Sequence, residues 1–142
     1  MKIDLHAVPY ENDGHKMVRI EQIVDIIRPV SPEHIDVKRV KALWDTGATN
    51  TYIPMQTAVE LGIPLGDEVP VRMGSSSGKS RFCKFFLGFP TGDILPVTEG
   101  VAVPDMKTNL VIGMDVISKG WTQIVPDGHG GVFFSFEKSE GA

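Results

Sequence analysis

The residues of this chain with the plainest capacity for chemistry are Asp45, Thr46 and Gly47, which follow the apolar run Ala42-Leu43-Trp44 and precede Ala48-Thr49-Asn50. The pattern predicts a buried strand that ends by delivering a carboxylate into a tight turn. An unpaired carboxylate taken out of water is costly or takes up a proton, so an acid at this point is either solvated at the strand end or kept for proton transfer. Asp and Gly are also ordinary turn formers, and a purely structural turn accounts for the triplet as well.

Other groups with chemical potential are less well placed. Gly74-Ser75-Ser76-Ser77-Gly78-Lys79-Ser80 looks like a phosphate-binding loop, but that motif needs four residues between its glycines and a helix directly after it. Here three residues intervene, and Arg81-Phe82-Cys83-Lys84-Phe85-Phe86-Leu87-Gly88 reads as a strand, so the segment is expected to be a hairpin tip. His6, His15, His34 and His129 are far apart, without metal-ligand spacing to a carboxylate or to Cys83, and read as solvated loop residues. Neither Cys83 nor a serine stands on a strand-to-helix elbow beside a histidine, which disfavours a covalent nucleophile. No metal and no cofactor are expected.

At 142 residues the chain is long enough for one domain and too short for two of ordinary size. A hydrophobic fraction of 42% with 23% charged residues fits a soluble globular protein, and a net charge of -4 without a basic run argues against a nucleic-acid surface. The single cysteine cannot form an internal disulfide, and no segment approaches 18 continuous apolar residues, so a cytoplasmic protein without membrane contact is expected. The 15 glycines and 10 prolines are spread along the whole chain, which predicts many short elements joined by turns, an all-β pattern.

The elements that would position Asp45 can be taken in order. Residues 1–15 contain Pro9, Asn12, Asp13 and Gly14 and read as a leader arm, ahead of a domain over 16–138 and a polar tail over 139–142. Lys16 to Ile27 fits either a helix or a strand, with β-branched residues favouring strand. Pro29, Ser31 and Pro32 predict a break with a loop to Asp36, followed by a strand from Val37 to Trp44 that enters the acid turn. Thr51-Tyr52-Ile53 is a short strand, and Met55 to Leu61 a helix started at Pro54 and closed by Gly62 and Pro64. A hairpin is expected from Val69 to Phe89 with Gly74 to Gly78 as its tip, then a strand over Ile94 to Val103 that breaks near Gly100. Asn109 to Asp115 is an apolar strand running into Gly113, followed by a helical turn over 116–119 that Asp115 would cap. Trp121 to Val125 and Val132 to Phe136 form a closing hairpin, with the chain frayed from Glu137.

Trp44-Asp45-Thr46-Gly47-Ala48-Thr49, the Gly-tipped hairpin about thirty residues on, and Leu110-Val111-Ile112-Gly113-Met114-Asp115 together resemble the single-domain retropepsin-like aspartic proteases, bacterial members included. The resemblance implies a small closed β-barrel of paired ψ-shaped loops with one or two short helices. It also implies a homodimer, because each chain of that family supplies one aspartate, and only Asp45 stands in an Asp-Thr-Gly context here. Two Asp45 carboxylates brought within about 3 Å would share one proton and activate a water for attack on a peptide carbonyl. By the same resemblance Thr46 would lock the two loops together, and Gly47 would allow the turn and present backbone to substrate. Ala48 would line the wall, and Met73, Gly74, Ser75, Ser76, Ser77 and Gly78 would close as a flap over an extended peptide bound as an added strand.

Two departures stand out. Retroviral members usually carry an acid directly after the Ala and an Arg after the later Gly, and these pair; this chain has Thr49 and Met114 there, so that ion pair is absent on both sides, and its flap tip is more polar. They leave room for an alternative: a catalytically silent dimeric module of the same fold that binds peptides or serves as a scaffold.

Overall fold

The computed structural model describes residues 1–70 and 79–139. Among these residues twelve strands and two short helices follow one another as β1 (Lys2–Ala7), β2 (Tyr10–Asn12), β3 (His15–Met17), β4 (Glu21–Ser31), β5 (His34–Trp44), β6 (Tyr52–Pro54), α1 (Met55–Leu61), β7 (Leu65–Val69), β8 (Ser80–Gly88), β9 (Ile94–Val103), β10 (Val111–Ile112), α2 (Met114–Ile117), β11 (Trp121–Pro126) and β12 (Val132–Glu137). The fold is all-β. Seven strands pair in the order β4-β5-β10-β6-β9-β8-β7, and β4 also pairs β8 over Asp25–Ile27, so the ladder turns back on its own first strand. A second sheet has the order β1-β12-β11, and β2 and β3 form a small hairpin around Asp13 and Gly14. Among the described residues no helix is long and apolar enough to cross a membrane.

The alternation of β5 explains its path. Val40, Ala42 and Trp44 point into the core, while Arg39 and Lys41 on the alternate face are exposed, and these two cations and the half-buried Lys38 each meet an acid. Lys38 bonds Glu60 at 2.8 Å, Arg39 bonds Asp25 at 3.0 Å, and Lys41 lies 3.6 Å from Glu21. Such exposed pairs are screened by solvent and add little, so it is the inward face that holds the strand. Trp44 is packed by Phe89, Phe134 and Phe136 at ring-centroid distances of 6.0, 5.1 and 5.2 Å, and its indole N–H donates to Gln22. Since Phe134 and Phe136 belong to the smaller sheet, the residue before Asp45 is clamped where the two sheets meet.

Helix α1 begins and ends at the expected residues, with Gly62 in the left-handed region at φ 67° where a side chain would be strained. Several other expectations are corrected. The strand reading of Lys16 to Ile27 holds for most of that stretch, but β4 continues through Pro29, which pairs Ile35 beside a register shift, and the loop to Asp36 shrinks to Pro32 and Glu33. Proline is tolerated at such an irregularity because one backbone donor is already out of register there. The flap hairpin begins earlier than expected, at β7, and its tip lies outside the described residues. β9 does not break at Gly100. It bulges, with Thr98 and Glu99 opposite Lys84 alone, between the pairs Cys83–Gly100 and Phe85–Val97.

The leader arm expected over 1–15 is instead a strand and a hairpin. β1 pairs β12 along its whole length, from Lys2 opposite Glu137 to Ala7 opposite Val132. The chain is also not frayed at Glu137, because the Met1 amino group donates to the Lys138 carbonyl and the Lys138 amide to the Met1 carbonyl, each at 2.9 Å. Cys83 is buried, and desolvation pushes its thiol up to about 12, which makes it a packing residue and not a nucleophile.

Two of the histidines have carboxylate partners that spacing did not show. His34 bonds Asp36 at 3.0 Å. His6, on β1, stacks on Phe133 and lies 2.7 Å from Asp127, whose other oxygen accepts the amides of His129 and Gly131 at the β11–β12 turn. The His6 ring and these two amides hold the Asp127 carboxyl below the usual carboxylate range. A depressed acid stabilises the fold above its unfolded value, and that stability is lost as the pH falls through the folded value. Urea unfolding midpoints should therefore drop between neutral pH and about pH 3, and Asp127→Asn should reduce this fall.

Candidate active site

The site is built where a short strand is threaded between two others. β10 runs parallel to β5, with Val111 opposite Leu43 and Ile112 opposite Trp44, and antiparallel to β6, with Val111 opposite Tyr52. The connection from β5 to β6, residues 45–51, therefore crosses over the end of β10 in a ψ-shaped path. It carries every residue of the triplet and its successors.

Asp45 leaves the sheet half-buried, with its amide bonded to the Ile112 carbonyl at 2.9 Å and its carbonyl accepting from the Ala48 amide at 3.2 Å. Its Oδ1 accepts the Gly47 amide at 2.8 Å, while Oδ2 has no partner among the described residues. Backbone contacts therefore hold one carboxylate oxygen and leave the other available. Thr46 and Gly47 are exposed, and among the described residues the Thr46 hydroxyl makes no hydrogen bond within the chain. Ala48 is half-buried, and its carbonyl accepts from Met114 at 2.7 Å. Met73, Gly74, Ser75, Ser76, Ser77 and Gly78 lie outside the described residues.

The strand leaving β10 passes through this loop with almost no clearance. A Cβ on Gly113 would overlap the carbonyl oxygen of Asn50 and sit 2.8 Å from that of Ala48. Glycine is required here by backbone on two sides, irrespective of φ. Backbone bonds join the two segments: Met114 to Ala48, and Asp115 to Thr49 at 3.2 Å.

Three further polar residues frame the loop. The Asn50 side chain donates to the Glu99 carbonyl at 2.9 Å, an acceptor on the bulged stretch of β9. Thr51 is fully buried, and its hydroxyl accepts from the Gly113 amide at 3.2 Å and donates to Asp115 at 2.7 Å. Asp115 does not cap α2 as expected. Gly113 is the N-cap, without a side-chain bond, and Asp115 stands in the first turn facing Thr51. Thr51 read in sequence as strand filler, and the available signal was a hydroxyl at a position that an apolar strand would bury, where it must find a partner.

Among the described residues no three His, Cys, Asp or Glu side chains are grouped to hold a metal. The arrangement can offer one partly free carboxylate on a rigid mount, beside an exposed hydroxyl and an exposed Gly turn.

A comparison with protein-family models matches residues 32–119 to the family described as gag-polyprotein putative aspartyl protease. Among solved structures, a retropepsin-like aspartic protease from Rickettsia conorii aligns with 98% of this chain and 95% of its own at 14% identity, with a TM-score of 0.56. The retroviral protease-like domain of Ddi1 from Leishmania major aligns with 85% of this chain and 98% of its own at 17% identity, with a TM-score of 0.46. A comparison with curated proteins found no match. At 14% identity the likeness to the Rickettsia protein concerns the fold.

Proposed function

The chain belongs to the family of gag-polyprotein putative aspartyl proteases, and from that premise we propose that it is an aspartic endopeptidase that works as a homodimer, with one Asp45 from each copy. The observation that carries the reading is the mount of Asp45: the Gly47 amide fixes Oδ1 and leaves Oδ2 unpartnered among the described residues, on a loop locked to β10. A single chain holds one such Asp-Thr-Gly turn, so a second carboxylate has to come from a second copy.

Two carboxylates about 3 Å apart share one proton, because both cannot comfortably ionise. The ionised member takes a proton from a water between them as the water attacks the scissile carbonyl, and the protonated member donates to the carbonyl oxygen. No covalent intermediate forms. The exposed Thr46 hydroxyl, unspent within its own chain among the described residues, is suited to bond the facing loop across the two-fold axis. Gly47 and Ala48 would offer backbone and wall to an extended peptide, and Met73 to Gly78 would cover it. A cytoplasmic site of action belongs to the same reading, supported by a lone cysteine that no internal disulfide can use.

The test is incubation with a diverse peptide library from acidic to neutral pH, read by mass spectrometry, at protein concentrations spanning about three decades around an assumed micromolar dimer Kd. Cleavage is expected, with specific activity falling on dilution as dimers separate. A chain that is monomeric throughout, or a dimer that binds peptides and cuts none, would overturn the reading, and the second result would identify a silent peptide-binding module.

A further inference from the structure

We infer that Asp115 is a positioning residue for Asp45, acting through the Thr51 hydroxyl and the single peptide group between Ile112 and Gly113. The inference deepens the protease reading above and rests on it for its kinetic consequence, whereas its structural part stands on hydrogen bonds alone.

The hydrogen bonds between Asp45 and Asp115 share one donor direction. Asp115 stands at the end of the path, where its Oδ1 accepts the Thr51 hydroxyl at 2.7 Å. The fully buried Thr51 oxygen in turn accepts the Gly113 N–H at 3.2 Å, so its own proton is committed to Asp115. The Gly113 N–H and the Ile112 C=O are the two ends of one planar peptide group, and the Ile112 oxygen accepts the Asp45 N–H at 2.9 Å. Every donor along this path points the same way, from Asp45 to Ile112–Gly113 to Thr51 to Asp115. Bonds aligned in this manner polarise one another, and a carboxylate at the accepting end strengthens the row.

The geometry has a mechanical side. Because the connecting peptide is planar, a tilt at its Gly113 end is transmitted to the oxygen that holds the Asp45 amide. The Asp45 carboxylate is tied back to its own turn through Gly47, so a shift of the Asp45 backbone moves the carboxylate with it. In a dyad made by two-fold symmetry the displacement occurs in both copies, and their separation changes by up to twice the shift of either. Catalytic geometry tolerates this poorly, since a misplacement of about 1 Å can lower a rate about a hundredfold.

The experiment has two arms. In the first, amide proton resonances of the intact protein are compared with those of Asp115→Asn, which keeps an acceptor oxygen and removes the charge. The Gly113 and Asp45 amides should both move upfield, while the Leu43 amide, bonded to Leu110 outside the row, stays in place. A shift at Gly113 with none at Asp45 overturns the inference, because the coupling would then end at Thr51. In the second arm, Thr51→Val should lower kcat roughly ten- to a hundredfold with KM unchanged, and Thr51→Ser should restore it. A loss of rate in proportion to the unfolded fraction would instead reveal a purely structural role and overturn it. If the wild-type chain cuts no peptide, the protease reading fails and the resonance arm still decides this one; if Thr51→Val does not fold, Asp115→Asn carries the test.

Discussion

On the protease reading proposed above, replacing Asp45 by Asn is expected to abolish peptide cleavage, lowering kcat by on the order of a thousandfold or more, with the fold and the proposed dimer retained. The two halves of that expectation have separate causes. The amide oxygen of Asn can still accept the Gly47 N–H that Asp45 Oδ1 accepts, and the backbone bonds of residue 45 to Ile112 and Ala48 do not involve the side chain. The turn therefore keeps its shape. What disappears is the pair of titrating oxygens, since two amides cannot share a proton or take one from water. Peptide turnover, the unfolding midpoint and the sedimentation coefficient should be measured on the same preparation. Cleavage that survives in Asp45→Asn would remove Asp45 from the reaction altogether.

The second large effect is on stability. Gly113→Ala adds a Cβ that would overlap the Asn50 carbonyl and crowd that of Ala48, with backbone on both sides and no flexible side chain to move aside. Overpacking of side chains commonly costs about 1–3 kcal/mol, and a clash with fixed backbone lies at or beyond the upper end. The chain could relieve it only by opening the crossing of 45–51 over β10, which would break the Met114 to Ala48 and Asp45 to Ile112 bonds. A loss of about 3 kcal/mol or more in urea unfolding is expected, together with loss of activity. A variant as stable as the wild type would mean that the two segments do not cross as closely as described.

Different parts of this molecule were legible in the sequence to different degrees, for physical reasons. α1 was readable to the residue because its signals are local: Pro54 before it and Gly62 after it act within a turn of the residues they stop. The closing hairpin was readable for the same reason, as two apolar runs around a Gly-rich turn. β1 was not, because its strand partner among the described residues is β12 at the far end of the chain, and no local pattern announces a pairing across more than 120 residues. β4 runs on through Pro29, where the usual breaker falls on a register shift that accommodates it.

The candidate site divides along the same line. Asp45, Thr46 and Gly47 are contiguous and could be picked out as a triplet. Local sequence suggests only a capping role for Asp115, because its partner, Thr51, is 64 positions away and becomes a neighbour only when the β5–β6 connection crosses β10. Asn50 is tied to Glu99 by a carbonyl on a bulge of β9, a feature of strand register that no residue type signals.

The paired backbone bonds between Met1 and Lys138 carry one more consequence. Because these two residues lie side by side, the described fold begins and finishes at one spot on its surface. A short linker between them would convert the pairing of β1 with β12, the most distant in sequence, into an ordinary hairpin, and the chain could then be opened at the exposed Pro32–Glu33 turn instead. Such a circular permutant would keep every strand pair while bringing the ends of the smaller sheet together early in folding. By the same adjacency, this unit could be inserted into a surface loop of another protein with little displacement of the host chain.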